Sequence, residues 1–359
     1  MRKSLYQFFI LFVMAVSFFA FQAKSSPVKA QNADIAVILP DSQSSPRWEN
    51  DDRKFLSQAF DAAGVTYSIV NAQNDPAQMA TLADAAITNG AKVILLVNLD
   101  SPSAAAIIAK GHEAGVKMID YDRLTLQGGA DAYVSFDGQA VGRIQALDLI
   151  LAITAAGTQN PRIAFLDGSP DDNNATLFAQ GAHQVLDLKL NDPTSGWTLV
   201  DEQAVPKWDN QQALTIFEQM LTAAGGKIDG VLAANDGLGL AAATAFENQG
   251  LPYVPTTGQD AGVGGVQGVL QGKLTMTVYK AISAEAAAAA QVAIAFATGA
   301  DTSSILTTSV SDGNTNVPAK LLTPLGVTKD NIAATVIADG FRTWDEICVG
   351  DVAALCPAH

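Results

Sequence analysis

Two parallel-sheet α/β lobes are the architecture this sequence predicts, and three observations carry the prediction. Short apolar runs alternate with amphipathic stretches from Asp34 onward, and the alternation restarts after about residue 155. Polar and aromatic residues gather just past the apolar runs, where an open parallel sheet binds its ligands. A chain of 359 residues that is 48% hydrophobic has core enough for about two domains.

Residues 35–39 are apolar and read as the first strand, and 48–63 reads as a helix with Trp48, Phe55, Leu56, Ala59 and Phe60 on one face. A strand over 66–70 follows. Asn74-Asp75-Pro76 then starts a helix that runs to Asn89-Gly90, where Gly90 suits a left-handed stop. The next strand is 93–97, Ser101 opens a helix that Gly115 ends, and the strand over 116–119 runs into Asp120, Tyr121, Asp122 and Arg123. After a short strand at 132–135 and a long helix near 141–155, a second set of units begins. Its strands are 162–166, 198–202, 228–233, 254–257 and 274–278, with helices starting at about Asn174, Asp209, Leu238, Val263 and Ser283. The stretch with Pro318, Leu321, Leu322 and Pro324 reads as an irregular strand that joins an existing sheet.

Ahead of this pattern, Arg2 and Lys3 precede an apolar run from Phe8 to Phe21 and a polar stretch ending in Val28-Lys29-Ala30, the layout of a secretory signal. Cleavage is expected after Ala30, so that the mature chain starts at Gln31, with Ala23 as the second choice. About 14 apolar residues fall short of the roughly 20 that span a bilayer, and no cysteine follows for a lipid anchor. Loss of Arg2, Lys3, Lys24 and Lys29 takes the net charge from −15 to −19, which argues against nucleic acid and anionic lipid surfaces as partners. The two cysteines, Cys348 and Cys356, stand close together in the tail of an exported chain and are expected to form a disulfide. Scattered His112, His183 and His359 offer no metal cluster, and no cofactor motif is present.

At the strand ends stand Asp41, Arg47 and Trp48; Asp122 and Arg123; Asp171 to Asn174; Trp208; Asn235 and Asp236; Gln259 and Asp260; and Lys280. Any one of these can be a helix cap, core residue or structural ion pair. Their recurrence at successive strand ends points instead to a neutral polyhydroxylated ligand, whose hydroxyls need carboxylates and amides and whose C–H faces need tryptophan. Enzyme readings are weaker. Gly262, Gly264 and Gly268 do not make a dinucleotide fingerprint, and there is no Walker loop or G-x-S-x-G elbow. Asp122 and Asp260, beside Arg123 and Lys280, would be held ionised and would serve poorly as general acids.

Taken in order, Arg47-Trp48, Tyr121-Asp122-Arg123, Gly168-Ser169-Pro170 with Asp172-Asn173-Asn174, Asn235-Asp236, Gly258-Gln259-Asp260, Met276 to Lys280 and Pro318 to Pro324 resemble the periplasmic sugar-binding proteins of ABC transporters. The likeness is to the ribose, galactose and xylose type, with the xylose-binding branch matching best, and it covers the chain from about Asp34 to Phe341. It implies a type I periplasmic binding protein fold, two lobes joined by a three-strand hinge, closing on one monosaccharide and docking as a monomer on a membrane permease. It also implies Trp48 and Trp208 as stacking residues. Arg47, Asp122, Arg123, Asn173, Asn174, Asn235, Asp260 and Lys280 become hydrogen-bonding candidates, with Asn173 and Asn174 as alternatives.

By the same resemblance the crossovers fall near Phe136-Asp137, Lys280-Ala281 and Asn316-Val317. The lobes are then 31–136 plus 281–316, and 137–280 plus 317–359, after a signal peptide over 1–30. The tail from Trp344 lies beyond the resemblance. The same fold occurs in transcription regulators, but those begin with a DNA-binding helix pair where this chain has an export signal. A subunit presenting sugar to a chemoreceptor or sensor kinase would use the same pocket and stays as the alternative role.

Overall fold

The computed structural model describes residues 33–357, so the signal segment and the start at Gln31 lie outside the described residues. The first units are β1 (Ile35–Leu39), a π-type turn at Trp48–Asp52, α1 (Arg53–Ala63), β2 (Tyr67–Asn71), α2 (Pro76–Thr88), β3 (Val93–Leu96), α3 (Ser101–Glu113), β4 (Lys117–Tyr121) and β5 (Ala132–Phe136). Local chemistry sets several of these limits. The Asp75 carboxylate accepts from the Ala77 and Gln78 amides at the start of α2, with Pro76 at its first position, and Gly90 follows the helix with φ of 84°.

A second series follows: α4 (Gly138–Ala155), β6 (Arg162–Asp167), α5 (Asn173–Leu190), β7 (Thr198–Ala204), α6 (Asn210–Ala223), β8 (Gly230–Ala233), α7 (Asp236–Asn248), α8 (Val263–Gln271) and β9 (Met276–Tyr279). The chain then forms α9 (Ile282–Thr298), β10 (Thr308–Ser311), β11 (Asn316–Leu322), β12 (Leu325–Thr328) and the short α10 (Trp344–Ile347).

Among the described residues the first sheet has seven strands in the order β10-β11-β5-β4-β3-β1-β2, parallel except for the β10–β11 hairpin. Both faces are covered, which is why its strands are continuously apolar: Ile35, Val37 and Leu39 pack in one core with α1 and α9, and Ala36 and Ile38 in another with α2 and α3. The second sheet runs β7-β6-β8 in parallel. Single parallel bridges, Val231 to Thr256 and Gln259 to Val278, continue it to β9, which pairs antiparallel with β12. The strand expected over 254–257 is thus reduced to one bridge, because Pro252 and Pro255 have no amide to give a ladder.

The chain leaves the first sheet after Phe136, returns after Tyr279 to place α9 on it, and leaves again after Leu322. The third crossing corrects the expectation of Asn316-Val317: β11 pairs in register with β5 from Ala319↔Tyr133 to Leu322↔Phe136, so 317–322 belongs to the first sheet. Pro318 had suggested an irregular piece. It is tolerated because the neighbour on its far side is the short polar edge strand β10, a strand too hydrophilic to be legible in the sequence.

Beyond β12 the tail folds back on α8 and β9. Val336, Phe341, Ile347 and Val352 share a core with Val266, Leu270 and Tyr279, and Gln267 Nε2 donates to the Ile347 carbonyl at 2.9 Å. Thr343 and Glu346 form a capping box on α10, and Cys348 and Cys356 are joined by a disulfide. Closing so short a loop contributes about 2.5 kcal/mol by the chain-entropy relation. Replacing both cysteines by serine should therefore speed hydrogen exchange at Ile347 and Val352 while leaving α4 unchanged, as measured by mass spectrometry; equal protection in both proteins would contradict this.

Candidate functional site

Three of the candidate residues sit where the backbone turns sharply beyond a strand, with positive φ. Asp122, after β4, has φ of 62°; Trp208 has φ of 56° after Lys207 at 58°; Asp260 has φ of 100° and Ala261 of 48°. None is glycine, so each occupies a sparsely populated region that the surroundings must hold in place. For Asp122 the support is explicit. Its amide donates to the Val134 carbonyl at 2.8 Å, and its carbonyl accepts from Ser135 Oγ at 2.7 Å, Tyr133 Oη at 3.2 Å and Asn174 Nδ2 at 3.1 Å.

The Asp122 side chain then joins three elements. Oδ2 accepts from Arg47 Nη1 at 2.8 Å and Lys280 Nζ at 3.2 Å, while Oδ1 accepts from Asn174 Nδ2 at 3.0 Å. Burial opposes its ionisation, yet the Lys280, Arg47 and Arg123 cations outweigh burial and hold the carboxyl well below the usual carboxylate range. Arg47 is itself fully engaged: Nε and Nη2 form a fork with the Asp52 carboxylate at 2.8 and 2.7 Å, and Nη2 also reaches Glu285 at 2.8 Å. Glu285 is pushed well above its ordinary range by burial and the Asp122 charge.

One cavity of about 30 Å³ lies among these groups, walled by Arg47, Trp48, Asp122 and Arg123 from the first lobe, Asn174, Trp208, Asn235 and Asp260 from the second, and Lys280 from a crossover. Nine of the ten stacking and hydrogen-bonding candidates thus come together. Asn173 does not: it is the first residue of α5 and lies off the wall, whereas Asn174 is buried and faces Asp122.

Five further residues complete the wall: Ser44, Ser45 and Phe178, which the sequence did not single out, and Asp172 and Gln259, which stood among the strand-end residues but not among the stacking and hydrogen-bonding candidates. Asp172 accepts from Trp208 Nε1 at 3.1 Å and pairs with Arg123 Nε at 2.9 Å, so it orients one ring and one cation at once. It reads in the sequence as a cap for α5, a role it also fills. Ser44 Oγ accepts from Trp48 Nε1 at 3.2 Å. Gln259 is buried, and its Oε1 has no protein partner in the structure. Its position between Gly258 and Asp260 was the available signal.

Both tryptophans are held edge-on by these acceptors. The Arg47 guanidinium carbon lies 4.3 Å from the Trp48 ring centre, and Phe178 meets Trp208 at 6.4 Å. A Cβ at Gly168 would come within 2.0 Å of the Trp208 ring, so glycine is required beneath it. The lobes touch directly through the site, by Asn174 to Asp122, Arg123 to Asp172 and Ser45 Oγ to Asp260 Oδ2 at 3.0 Å. Past Ser45 and Asp260 a larger cleft of about 420 Å³ adjoins the cavity.

Two lobes of parallel sheet, a crossover at three points and a polar, aromatic-walled cavity between strand ends define a two-lobed solute-binding protein. The chain belongs to the periplasmic binding protein family: the family model described as "Periplasmic binding protein domain" matches residues 35–301. It is 33% identical over 303 residues to the D-xylose-binding periplasmic protein of Escherichia coli (strain K12), covering 84% of this chain and 88% of that one. To the multiple sugar-binding periplasmic receptor ChvE of Rhizobium radiobacter it is 28% identical, covering 89% and 93%. Among solved structures, a carbohydrate transporter solute-binding protein from Chloroflexus aurantiacus in complex with D-glucose superposes with a TM-score of 0.80 at 30% identity, covering 88% of this chain and 98% of that one.

Two buried carboxyls and one half-buried carboxyl near or beside this framework carry raised pKa values. Asp236, desolvated and next to Asp260, is pushed up to about 8; Asp120, by burial, to about 7; and Asp167, by burial and Glu202, to about 7. Between the unfolded value near 4 and these folded values the native state holds more protons than the unfolded chain, so stability falls as pH rises from about 5 to 8. Each group contributes a slope of at most about 1.4 kcal/mol per pH unit. Melting temperature should accordingly be higher at pH 5 than at pH 8, with Asp236→Asn flattening part of the difference; a flat or rising profile would contradict the assignment.

Proposed function

We propose that this protein is an extracytoplasmic receptor that captures one aldose, xylose or a near relative, by hinge closure and delivers it to an ABC permease. One observation carries the reading: the cavity wall is divided between two lobes and combines two tryptophans with buried, mutually compensated acids and bases. Arg47, Arg123 and Lys280 are each already paired with carboxyl groups, Asp52, Asp122, Glu285, Asp172 and Asp260 among them, so a neutral ligand leaves these pairs intact while an anion would have to compete for the cations. The relatives support a sugar as that ligand, since they include D-xylose-binding periplasmic proteins and a complex with D-glucose. Among the described residues no helix is long and apolar enough to cross a membrane.

Hydroxyls would take over bonds that the lobes now make to each other. Asn174 and Asp122, or Ser45 and Asp260, each offer a donor and an acceptor of the kind a ring hydroxyl satisfies. Gln259 Oε1 supplies a further acceptor. A cavity of about 30 Å³ has room for a water or two, so a ring enters only when the lobes separate. A pentose has about ten heavy atoms, and the ceiling of about −1.5 kcal/mol per atom leaves micromolar binding, about −8 kcal/mol, within reach after the cost of closure. Hydrolysis is not the reading, because Asp122 is held ionised and cannot donate a proton to a leaving group. The strong negative charge argues against nucleic acid as a partner.

A thermal-shift screen of the mature protein against xylose, glucose, arabinose and other aldoses should raise the melting temperature for one or a few of them. In calorimetry, Asp122→Asn and Asp260→Asn should each weaken that binding by about 2 to 4 kcal/mol, and Gln259→Leu by about 1 to 3 kcal/mol. Affinity should change little between low and high salt. Parent-like affinity in the two aspartate variants, or shifts given only by charged ligands, would overturn the proposal.

A further inference from the structure

The C-terminal tail, which lies outside the family match, places one side chain across both lobes beside the cavity. Arg342 donates from Nη1 and Nη2 to the two oxygens of Asp51, both at 2.8 Å, and from Nε to the Ala261 carbonyl at 3.2 Å. Asp51 belongs to the π-type turn of the first lobe that begins with Trp48 and ends with Asp52, the partner of Arg47. Ala261 belongs to the second lobe and directly follows Asp260. It is the second of two consecutive non-glycine residues with positive φ, and its amide is held by Thr277 Oγ1 at 3.1 Å.

The guanidinium is buried, as is Asp51, and it lies 3.8 Å from the centre of the Phe341 ring. Phe341 in turn packs on Phe55 of the first lobe and Tyr279 of the second. We propose that Arg342 is a positioning residue for ligand binding, a clamp through which the tail holds the Trp48 turn and the Asp260 loop together in the closed form.

The geometry requires arginine. A planar fork satisfies a carboxylate with two donors and keeps a third for a carbonyl on the other side, whereas a lysine ammonium can meet either acceptor well but not both. Asp51 and Ala261 are on opposite lobes, so the full set of three bonds exists only while the lobes are together. Bonds present in one of two states bias the equilibrium toward that state. Arg342 therefore favours closure and slows release of whatever the cavity holds, without touching it. The ion pair is separate from the cavity network: Asp51 and Arg342 line the adjoining cleft of about 420 Å³, not the cavity wall.

This inference rests on the sugar-receptor reading for its ligand but not for its conformational part, and the test separates the two. Arg342→Lys, Arg342→Gln, Asp51→Asn and the Asp51→Asn/Arg342→Gln pair are compared with the parent by stopped-flow tryptophan fluorescence with D-xylose and D-glucose. Small-angle scattering is recorded with and without sugar. Each single variant should raise Kd about tenfold or more through faster dissociation, with association little changed, and the paired variant should lose no more than the worse single one. Without sugar, the variants should have a larger radius of gyration than the parent.

A role confined to anchoring the tail would lower the melting temperature alone, so parent-like dissociation rates and radii in folded Arg342→Lys and Arg342→Gln would overturn the clamp. If the parent binds neither sugar, the sugar-receptor reading fails, while the ligand-free radii still decide for or against the clamp.

Discussion

The carboxylate of Asp122 is the point on which the rest of the site depends. It is buried and ionised, a combination that is stable only when cations and donors surround it, and the protein supplies these from three separate elements: Arg47, Lys280 and Asn174. That one requirement fixes where the π-type turn after β1 must bring Arg47, where the crossover after β9 must pass, and how closely the start of α5 must approach. A left-handed backbone at Asp122, braced by Ser135, Tyr133 and Val134, aims the carboxylate inward from the strand end. The cost of that conformation, about 1 to 3 kcal/mol, is offset by bonds made elsewhere in the same sheet.

Around this centre each cation is bonded to one or more carboxyl groups rather than left to solvent. Arg47 serves Asp52, Asp122 and Glu285; Arg123 serves Asp172; Lys280 stands between Asp122 and Asp260. Such a network costs desolvation and adds little net stability, so its value lies in orientation. Polar groups that are already aimed need little rearrangement to meet the hydroxyls of a ring, and that preorganisation is what limits the entropic cost of binding a small neutral molecule. The same groups also bond across the cleft, so the two lobes compete with the ligand for them, and opening of the hinge is part of recognition.

Much of the frame was legible in the sequence because parallel strands buried on both faces must be continuously apolar. Residues 35–39, 93–97 and, after its leading arginine, 163–166 announce themselves in this way, and the helix starts at Pro76 and Ser101 carry their own caps. Illegible parts have physical reasons too. Strand β10 is polar because it is an exposed edge, and β11 contains a proline that only an edge neighbour tolerates, so the sequence pattern did not show which sheet this stretch joins. Between Asn173 and Asn174 the sequence offers no choice; one step of about 100° along α5 turns the second toward Asp122 and the first away.

By itself, then, the sequence determined the alternation of strand and helix, the existence of two lobes and the kinds of side chain at the strand ends, since these follow from local periodicity and composition. Only the tertiary structure decided which of those side chains meet. Arg47 and Glu285 are separated by 238 positions, Ser45 and Asp260 by 215, Asp51 and Arg342 by 291. Contacts at such separations are set by the packing of whole sheets and by the three crossovers that register them. No local pattern encodes that information, because a buried charge declares its partner only once water has been excluded from around both.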